Sequence, residues 1–169
     1  MARRPINTLS RLGLVICALA LLRACAYSPA GLAPSATRAD AVGRMGTPTG
    51  EYVLPGGATR LEFARGPYGR QTYMLDFDSS GRLTHWEQVL TENHFYQVRK
   101  GMNESEVLMQ LGRPSAKRGV GWQNITLWSY RFETPFCIWF NVGLDAGKVV
   151  DLGYTPDPIC EFTGHERAN

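Results

Sequence analysis

The chain contains an internal repeat with an offset of 66 residues, and this repeat limits the folds that the chain can adopt. No gap is needed to align the turn, cap and core positions of the two copies. A chain of 169 residues has room for two small units that share one core. The matched positions are Thr37 with Asn103, Asp40 with Glu106, Gly46 with Gly112, Pro48 with Pro114, Thr49 with Ser115, Leu61 with Leu127, and Gly81 with Gly147.

Each copy begins with the signature of a short helix. Asn103 followed three residues later by Glu106 is a capping-box pattern, which predicts a helix over about 104–111. Gly112 can adopt the left-handed conformation that ends a helix, and Pro114 prevents the helix from continuing. The first copy carries a weaker version of the same cap at Thr37.

After each helix the hydrophobic period changes to two, which is typical of strands. Trp128, Tyr130 and Phe132 alternate with Leu127, Ser129 and Arg131, and Ile138, Phe140, Val142 and Leu144 line one side of the next run. We therefore predict an α+β fold of two tandem units, each a short helix plus a three-stranded antiparallel sheet. The first unit, which is degenerate, covers 37–92, the second covers 93–156, and 157–169 form a tail.

The amino-terminal segment has the pattern of a secretory signal peptide over 1–24, followed by a tether over 25–36. Its apolar run, Leu12 to Leu22, is too short to span a bilayer. Leu22-Arg23-Ala24-Cys25 resembles a lipobox, which predicts lipid attachment at Cys25. Ala24-Cys25-Ala26 also fits ordinary signal peptidase, which would release a soluble protein instead.

The charge distribution argues against a nucleic-acid partner. The formal net charge is +3, but Arg3, Arg4, Arg11 and Arg23 all lie in the leader, and without them the acidic residues outnumber the basic ones by one. The three histidines have no partners at metal-ligand or catalytic spacing. We expect no enzyme activity, no cofactor and no metal.

Two cysteines remain for the folded part of the chain. In an oxidising compartment Cys137 and Cys160 would form a disulfide, which would staple the segment after Pro156-Asp157-Pro158. The alternative is a pair of buried free thiols that pack as small hydrophobic side chains.

The chain has more aromatic residues than one sheet face can bury. Most of them would be core residues. The outer face of the second sheet, with Arg131, Trp139 and Asn141, together with Trp122 in a predicted loop, is nevertheless a candidate protein-docking surface, because aromatic residues and arginine are enriched at interfaces.

Three strings in the second copy carry a family resemblance: Val98 to Val107 with its Gly-Met pair, Leu111-Gly112-Arg113-Pro114, and Trp128-Ser129-Tyr130. In this order they resemble the SmpA/OmlA (BamE-like) family of small outer-membrane lipoproteins. The resemblance covers about 95–155 and implies two helices against a three-stranded sheet. Tandem units of this type also resemble the β-lactamase-inhibitor protein architecture, which binds an enzyme through a concave sheet.

The leader and the resemblance together predict a non-enzymatic outer-membrane lipoprotein that faces the periplasm. Its partners would be membrane lipid, through the acyl anchor, and an envelope protein, such as a component of the β-barrel assembly machinery. The role would be accessory or scaffolding work in outer-membrane protein assembly or envelope integrity. The alternatives are a secreted or tethered inhibitor-like binding module and, less favoured, an envelope enzyme with an unrecognised site.

Overall fold

The computed structural model describes residues 27–121 and 124–160. It is an α+β fold with two antiparallel sheets of four strands each, and a helix precedes each sheet. The α-helices with both ends in the described ranges are α1 (Arg38–Met45), α2 (Glu92–Phe95) and α3 (Glu104–Leu111); short 3-10 helices lie at Pro29–Gly31 and Pro55–Gly57, and 158–160 are also helical. The first sheet contains β1 (Gly50–Val53), β2 (Thr59–Ala64), β3 (Thr72–Phe77) and β4 (Leu83–Gln88); the second contains β5 (Ala116–Val120), β6 (Ile125–Arg131), β7 (Ile138–Asp145) and β8 (Lys148–Pro156).

The expectation of three strands per unit is wrong, because each sheet has an additional first strand. Both sheets are meanders in which neighbouring strands pair in chain order. The additional strands are β1 and β5, which are short and contain glycine, and β5 also contains two adjacent cations. Neither strand shows the apolar alternation that marks a half-buried strand, so pairing with β2 and β6 is what makes them extended.

The structure confirms both helix caps. The side chain of Asn103 accepts a hydrogen bond from the backbone N–H of Glu106, and the carboxylate of Glu106 accepts one from the N–H of Asn103 at 2.7 Å. Thr37 and Asp40 form the same reciprocal pair at the start of α1. Local sequence was sufficient here because a capping box involves only residues three apart.

The repeat is real, but its offset is not constant. Helix ends and the first strands match at 66 residues, whereas the buried faces of β2 and β3 match β6 and β7 at 67. Leu61 therefore corresponds to Trp128 and not to Leu127, because Leu61 and Trp128 both face the helix of their own unit. The spacing of paired residues shows where the offset changes. Gly50 pairs with Glu62, 12 residues on, whereas Ala116 pairs with Ser129, 13 residues on. The offset returns to 66 at the last strand, because Phe77 pairs with Leu83, six residues on, whereas Leu144 pairs with Val149, five residues on.

The layers alternate between helix and sheet. Helix α1 packs on one face of the first sheet, in a cluster that includes Met45, Leu61 and Phe63. Helix α3 packs its buried residues Val107 and Leu111 on the second sheet. The end of α3 also lies on the outer face of the first sheet, since a Cβ atom added at Gly112 would lie 2.9 Å from the Glu62 side chain. The order is thus α1, first sheet, α3, second sheet.

A buried carboxylate joins the two units. Glu62 is fully buried and accepts hydrogen bonds from the Thr49 hydroxyl at 2.8 Å, the Tyr52 hydroxyl at 2.5 Å and the Arg113 backbone N–H at 3.1 Å. Burial raises the pKa of Tyr52, with the hydrogen bond to Glu62 as the second cause, so this hydroxyl stays a donor. The first sheet thereby satisfies a backbone donor just beyond the end of α3.

Several sequence predictions concern residues outside the described ranges. These are the signal peptide over 1–24, the lipid attachment at Cys25, the loop residue Trp122 and the tail beyond 160. In the described part of the chain, no helix combines the length and the apolar character that crossing a bilayer requires.

Candidate functional site

The outer face of the second sheet, on the side opposite α3, forms a cleft of about 460 Å³. Its floor comes from alternate residues of β6 and β7, which point away from the core because side chains alternate along a strand. We call this surface the outer cleft. Its lining residues are Ala116, Lys117, Arg118, Leu127, Ser129, Trp139, Thr155, Pro156 and Pro158.

A row of polar side chains crosses the sheet beneath the outer cleft. The Ser129 hydroxyl donates to the Asn141 side-chain oxygen at 2.6 Å, and the Asn141 amide donates to the Thr155 hydroxyl at 2.8 Å. Ser129 and Asn141 are buried. Asn141, predicted as a docking residue, therefore holds β6, β7 and β8 in register and offers little surface to a partner.

Arg131, another predicted docking residue, is buried at the end of β6. Its guanidinium forms a bidentate ion pair with Asp157 and donates to the backbone carbonyl of Pro67, 64 residues away in the chain. It also lies 4.9 Å from the Trp139 ring centroid and 5.5 Å from that of Tyr68. Arg131 thus joins the second sheet, the segment after β8 and the β2–β3 loop of the first unit.

The ion pair determines the ionisation of Asp157, which is 2% exposed. Burial alone would raise its pKa, but the hydrogen bonds from Arg131 and the Ile159 backbone N–H, with the nearby Trp139 indole, outweigh burial and lower the pKa below its usual value. The indole nitrogen of Trp139 is buried and has no hydrogen-bond partner of normal geometry among the described residues. Asp157 is consequently a carboxylate at neutral pH.

Cys137 and Cys160 form the predicted disulfide, with 6.4 Å between their Cα atoms. The bond fixes residues 157–160 across the end of the second sheet, beside the Arg131–Asp157 ion pair. The ligand atoms of the two cysteines and Asp157 lie within 4.8 Å of one another. The disulfide and the ion pair already engage these atoms, so the cluster holds the chain in place and is a poor metal site.

The structure brings together three of the four predicted docking residues. Trp139 is half-buried and lines the outer cleft, whereas Arg131 and Asn141 lie beneath it. Trp122 lies outside the described residues, so its docking role stays a prediction. Asp157, the partner of Arg131, was not predicted from the sequence, although its position between two prolines, which favour extended backbone, was a signal.

Comparisons with known proteins do not assign a family. No family model matches this chain, and no curated protein matches it. Among solved structures, a DUF4309 family protein (YjgB) from Bacillus subtilis is similar at 15% sequence identity, with a TM-score of 0.28. The match covers 80% of this chain and 95% of the other, and likeness at that level carries no inference about function.

Proposed function

We propose that this protein is a non-enzymatic lipoprotein of the outer membrane that faces the periplasm and docks an envelope protein on its outer cleft. Its role would be scaffolding or accessory work in outer-membrane protein assembly or envelope integrity. One observation carries the docking part of this proposal: the first sheet bears a helix on the face that corresponds to the outer cleft of the second.

The correspondence follows from the 67-residue offset of the paired strands. Glu62 on the first sheet corresponds to Ser129 on the second, and Met74 corresponds to Asn141. Glu62 and Met74 lie on the face that receives α3, where Arg60 also donates to the Met109 carbonyl at 3.2 Å. In the described part of the chain, the matching face of the second sheet carries no such helix, and only the helical turn at 158–160 borders it, through Pro158.

The outer cleft suits an amphipathic helix. Leu127 and Trp139 supply apolar surface, and helices pack on sheets through an apolar side. Arg118 at the rim is exposed, and no carboxylate of the described residues lies within 4.0 Å of it. An acidic residue on the border of the docking helix would complement that charge.

The membrane part of the proposal rests on the leader and on the resemblance to SmpA/OmlA proteins. Both the leader and the resemblance are features of the sequence. We also propose that the two units are arranged in tandem as in the β-lactamase-inhibitor protein architecture. Mass spectrometry of the mature amino terminus tests the anchor. A diacylated Cys25 supports it, whereas an unmodified terminus in a soluble fraction favours the inhibitor-like binding module, which the Ala24-Cys25-Ala26 pattern also permits.

Site-specific photocrosslinking in cells tests the docking part. A photoreactive residue at Leu127 or Arg118 should capture the same envelope protein, through a segment that is helical in that partner. The matched control is Ala39, an exposed residue of α1 on the opposite side of the molecule. Capture that is equal at all three positions, or absent at both cleft positions, would contradict docking at the outer cleft.

Leu127→Glu should abolish the crosslink from Arg118 while leaving the melting temperature of the protein within a few degrees of the wild-type value.

A further inference from the structure

A second concave surface lies at the free edge of the second sheet, away from the outer cleft. It is a groove of about 560 Å³ between β8 and the segment that joins α2 to α3. We call it the edge groove. Its apolar floor contains Phe95, Val98, Phe140 and Leu152, and the rings of Phe95 and Phe140 stack at 4.3 Å.

The backbone of β8 is available in this groove. β8 is the last strand of its sheet, and its free side begins to pair with the preceding segment: the Gly101 N–H donates to the Val149 carbonyl, and the Val149 N–H donates to the Met102 carbonyl. Among the described residues, that pairing stops at Val149. The strand continues to Pro156, so its remaining residues present unpaired edge groups beside the apolar floor.

The rim of the edge groove carries positive charge. Arg99 and Lys100 are exposed there, and within the described ranges only Lys100 has a carboxylate nearby, Asp151 at 3.6 Å. Tyr96, which is 67% exposed, and Tyr154 complete the rim. Glu92 is close to the groove, but it accepts a hydrogen bond from the Tyr154 hydroxyl at 2.7 Å. Arg99, the rim cation that has no carboxylate within 4.0 Å among the described residues, can therefore receive an anionic group next to the apolar floor.

The corresponding groove of the first unit lacks these features. It lies between the segment before α1 and β4, has a volume of about 220 Å³, and has Ala33 and Pro34 where the second unit has Arg99 and Lys100. The two units have the same arrangement of strands and helix, so the larger groove volume and the two cations are specific to the second unit. They are not a necessary result of the fold.

We propose that the edge groove binds an extended peptide segment of a partner protein, which pairs with the edge of β8, inserts an apolar side chain over Phe95 and Leu152, and places an acidic side chain at Arg99 and Lys100. Strand addition fits because main-chain pairing supplies affinity while a pocket for alternate side chains supplies specificity. The proposal goes beyond docking at the outer cleft, since it concerns a different surface and a different conformation of the bound segment.

The test uses the mature protein and a fluorescein-labelled peptide, acetyl-Ser-Val-Glu-Phe-Glu-Val-Ser-amide, with fluorescence polarisation as the readout. Saturable binding is expected. The variant Arg99→Glu/Lys100→Glu should weaken it at least about tenfold, because unlike charges become like. The matched control, Arg82→Glu/Lys148→Glu, makes the same change in net charge at two other exposed positions and should leave the affinity within about twofold.

Two further measurements separate strand addition from other modes. A peptide N-methylated at alternate amides should lose binding, and backbone amide shifts should concentrate in 150–156. Equal binding of the methylated peptide, or shifts confined to the outer cleft, would overturn the proposal. So would the absence of peptide binding together with charge-dependent binding of dodecanoate, since that result would identify a site for anionic amphiphiles. None of these outcomes bears on crosslinking at Leu127, so the two docking proposals fail separately.

Discussion

Gly46 and Gly112 occupy equivalent positions at the ends of α1 and α3, yet their surroundings differ. Both have positive φ, 85° and 75°, with ψ near −163°, a region that is essentially restricted to glycine. The predicted positive φ is confirmed, but the extended ψ places both outside the left-handed helical region. A Cβ atom at Gly46 would meet no atom within 4 Å, whereas one at Gly112 would lie 2.9 Å from Glu62 and 3.0 Å from Thr72.

Replacing each glycine by alanine should therefore separate backbone strain from steric overlap. Gly46→Ala should cost about 1–3 kcal/mol in the free energy of unfolding, because only the backbone conformation is disfavoured. Gly112→Ala should cost at least about 1 kcal/mol more, since the buried contact between α3 and the first sheet must also open. Urea denaturation of both variants measures the difference. Equal losses would show that α3 and the first sheet are not in close contact.

At the scale of elements, side chains hold most of the segment over 157–160, and one backbone hydrogen bond, from the Asp157 N–H to the Cys137 carbonyl at 2.9 Å, continues the pairing of β7 with β8. The disulfide fixes it at one point and the Arg131–Asp157 ion pair at another. It crosses the end of the second sheet and borders the outer cleft through Pro158. Protonation of Asp157 would weaken the ion pair that holds this segment, whereas the backbone hydrogen bonds between strands do not depend on pH in this way.

The lowered pKa of Asp157 fixes the direction of this pH dependence. The unfolded carboxyl group binds a proton near its ordinary pKa of 3.8, and the folded one binds it only at lower pH. The stabilisation is thus fully present above about pH 4 and is lost as the pH falls through the folded pKa. We expect the wild-type protein to exceed Asp157→Asn in unfolding free energy at pH 7, with a smaller difference at pH 2.5. A difference that is independent of pH would contradict the role of the ion pair.

At the scale of the whole molecule, the two units share helix α3 and are coupled through it. Tyr52 and Met74 of the first sheet pack against the core cluster of the second unit. The Glu62 carboxylate bridges Tyr52, Thr49 and the backbone of Arg113. Because these contacts cross the boundary between units, we expect one cooperative unfolding transition and not two.

Glu62→Ala tests the coupling. The substitution leaves buried donors without an acceptor, which should cost about 3 kcal/mol and lower the stability of both units together. Glu62→Gln, a substitution of nearly equal size that keeps an oxygen acceptor, is the matched control and should cost less. Calorimetry combined with near-ultraviolet circular dichroism measures whether one transition remains. Two separated transitions in the wild-type protein would show that the units fold independently.

Features that depend on neighbours in the chain could be predicted from the amino-acid sequence. The two capping boxes, the glycine helix ends, the alternation of Trp128 with Ser129 and the pairing of Cys137 with Cys160 were all predicted correctly. Each rests on a spacing of a few residues or, for the disulfide, on the only two cysteines left after the leader. These patterns limit the backbone locally, so no knowledge of the remaining fold was required.

Tertiary structure alone decided which surfaces stay open. Arg131 looks like an interface residue in the sequence, but Asp157 and the Pro67 carbonyl, 26 and 64 residues away, bury it. The offset of the repeat rises from 66 to 67 residues before β6. Successive side chains of a strand point to opposite faces, so this one-residue shift places each side chain of β6 on the face opposite to the one that a constant offset predicts. Contacts between residues that are far apart in the sequence leave no recognisable pattern in the residues around them. The sequence therefore predicted helices, strands and a disulfide. The stacking of the two units decided that, among the described residues, no further element covers the outer cleft and the edge groove.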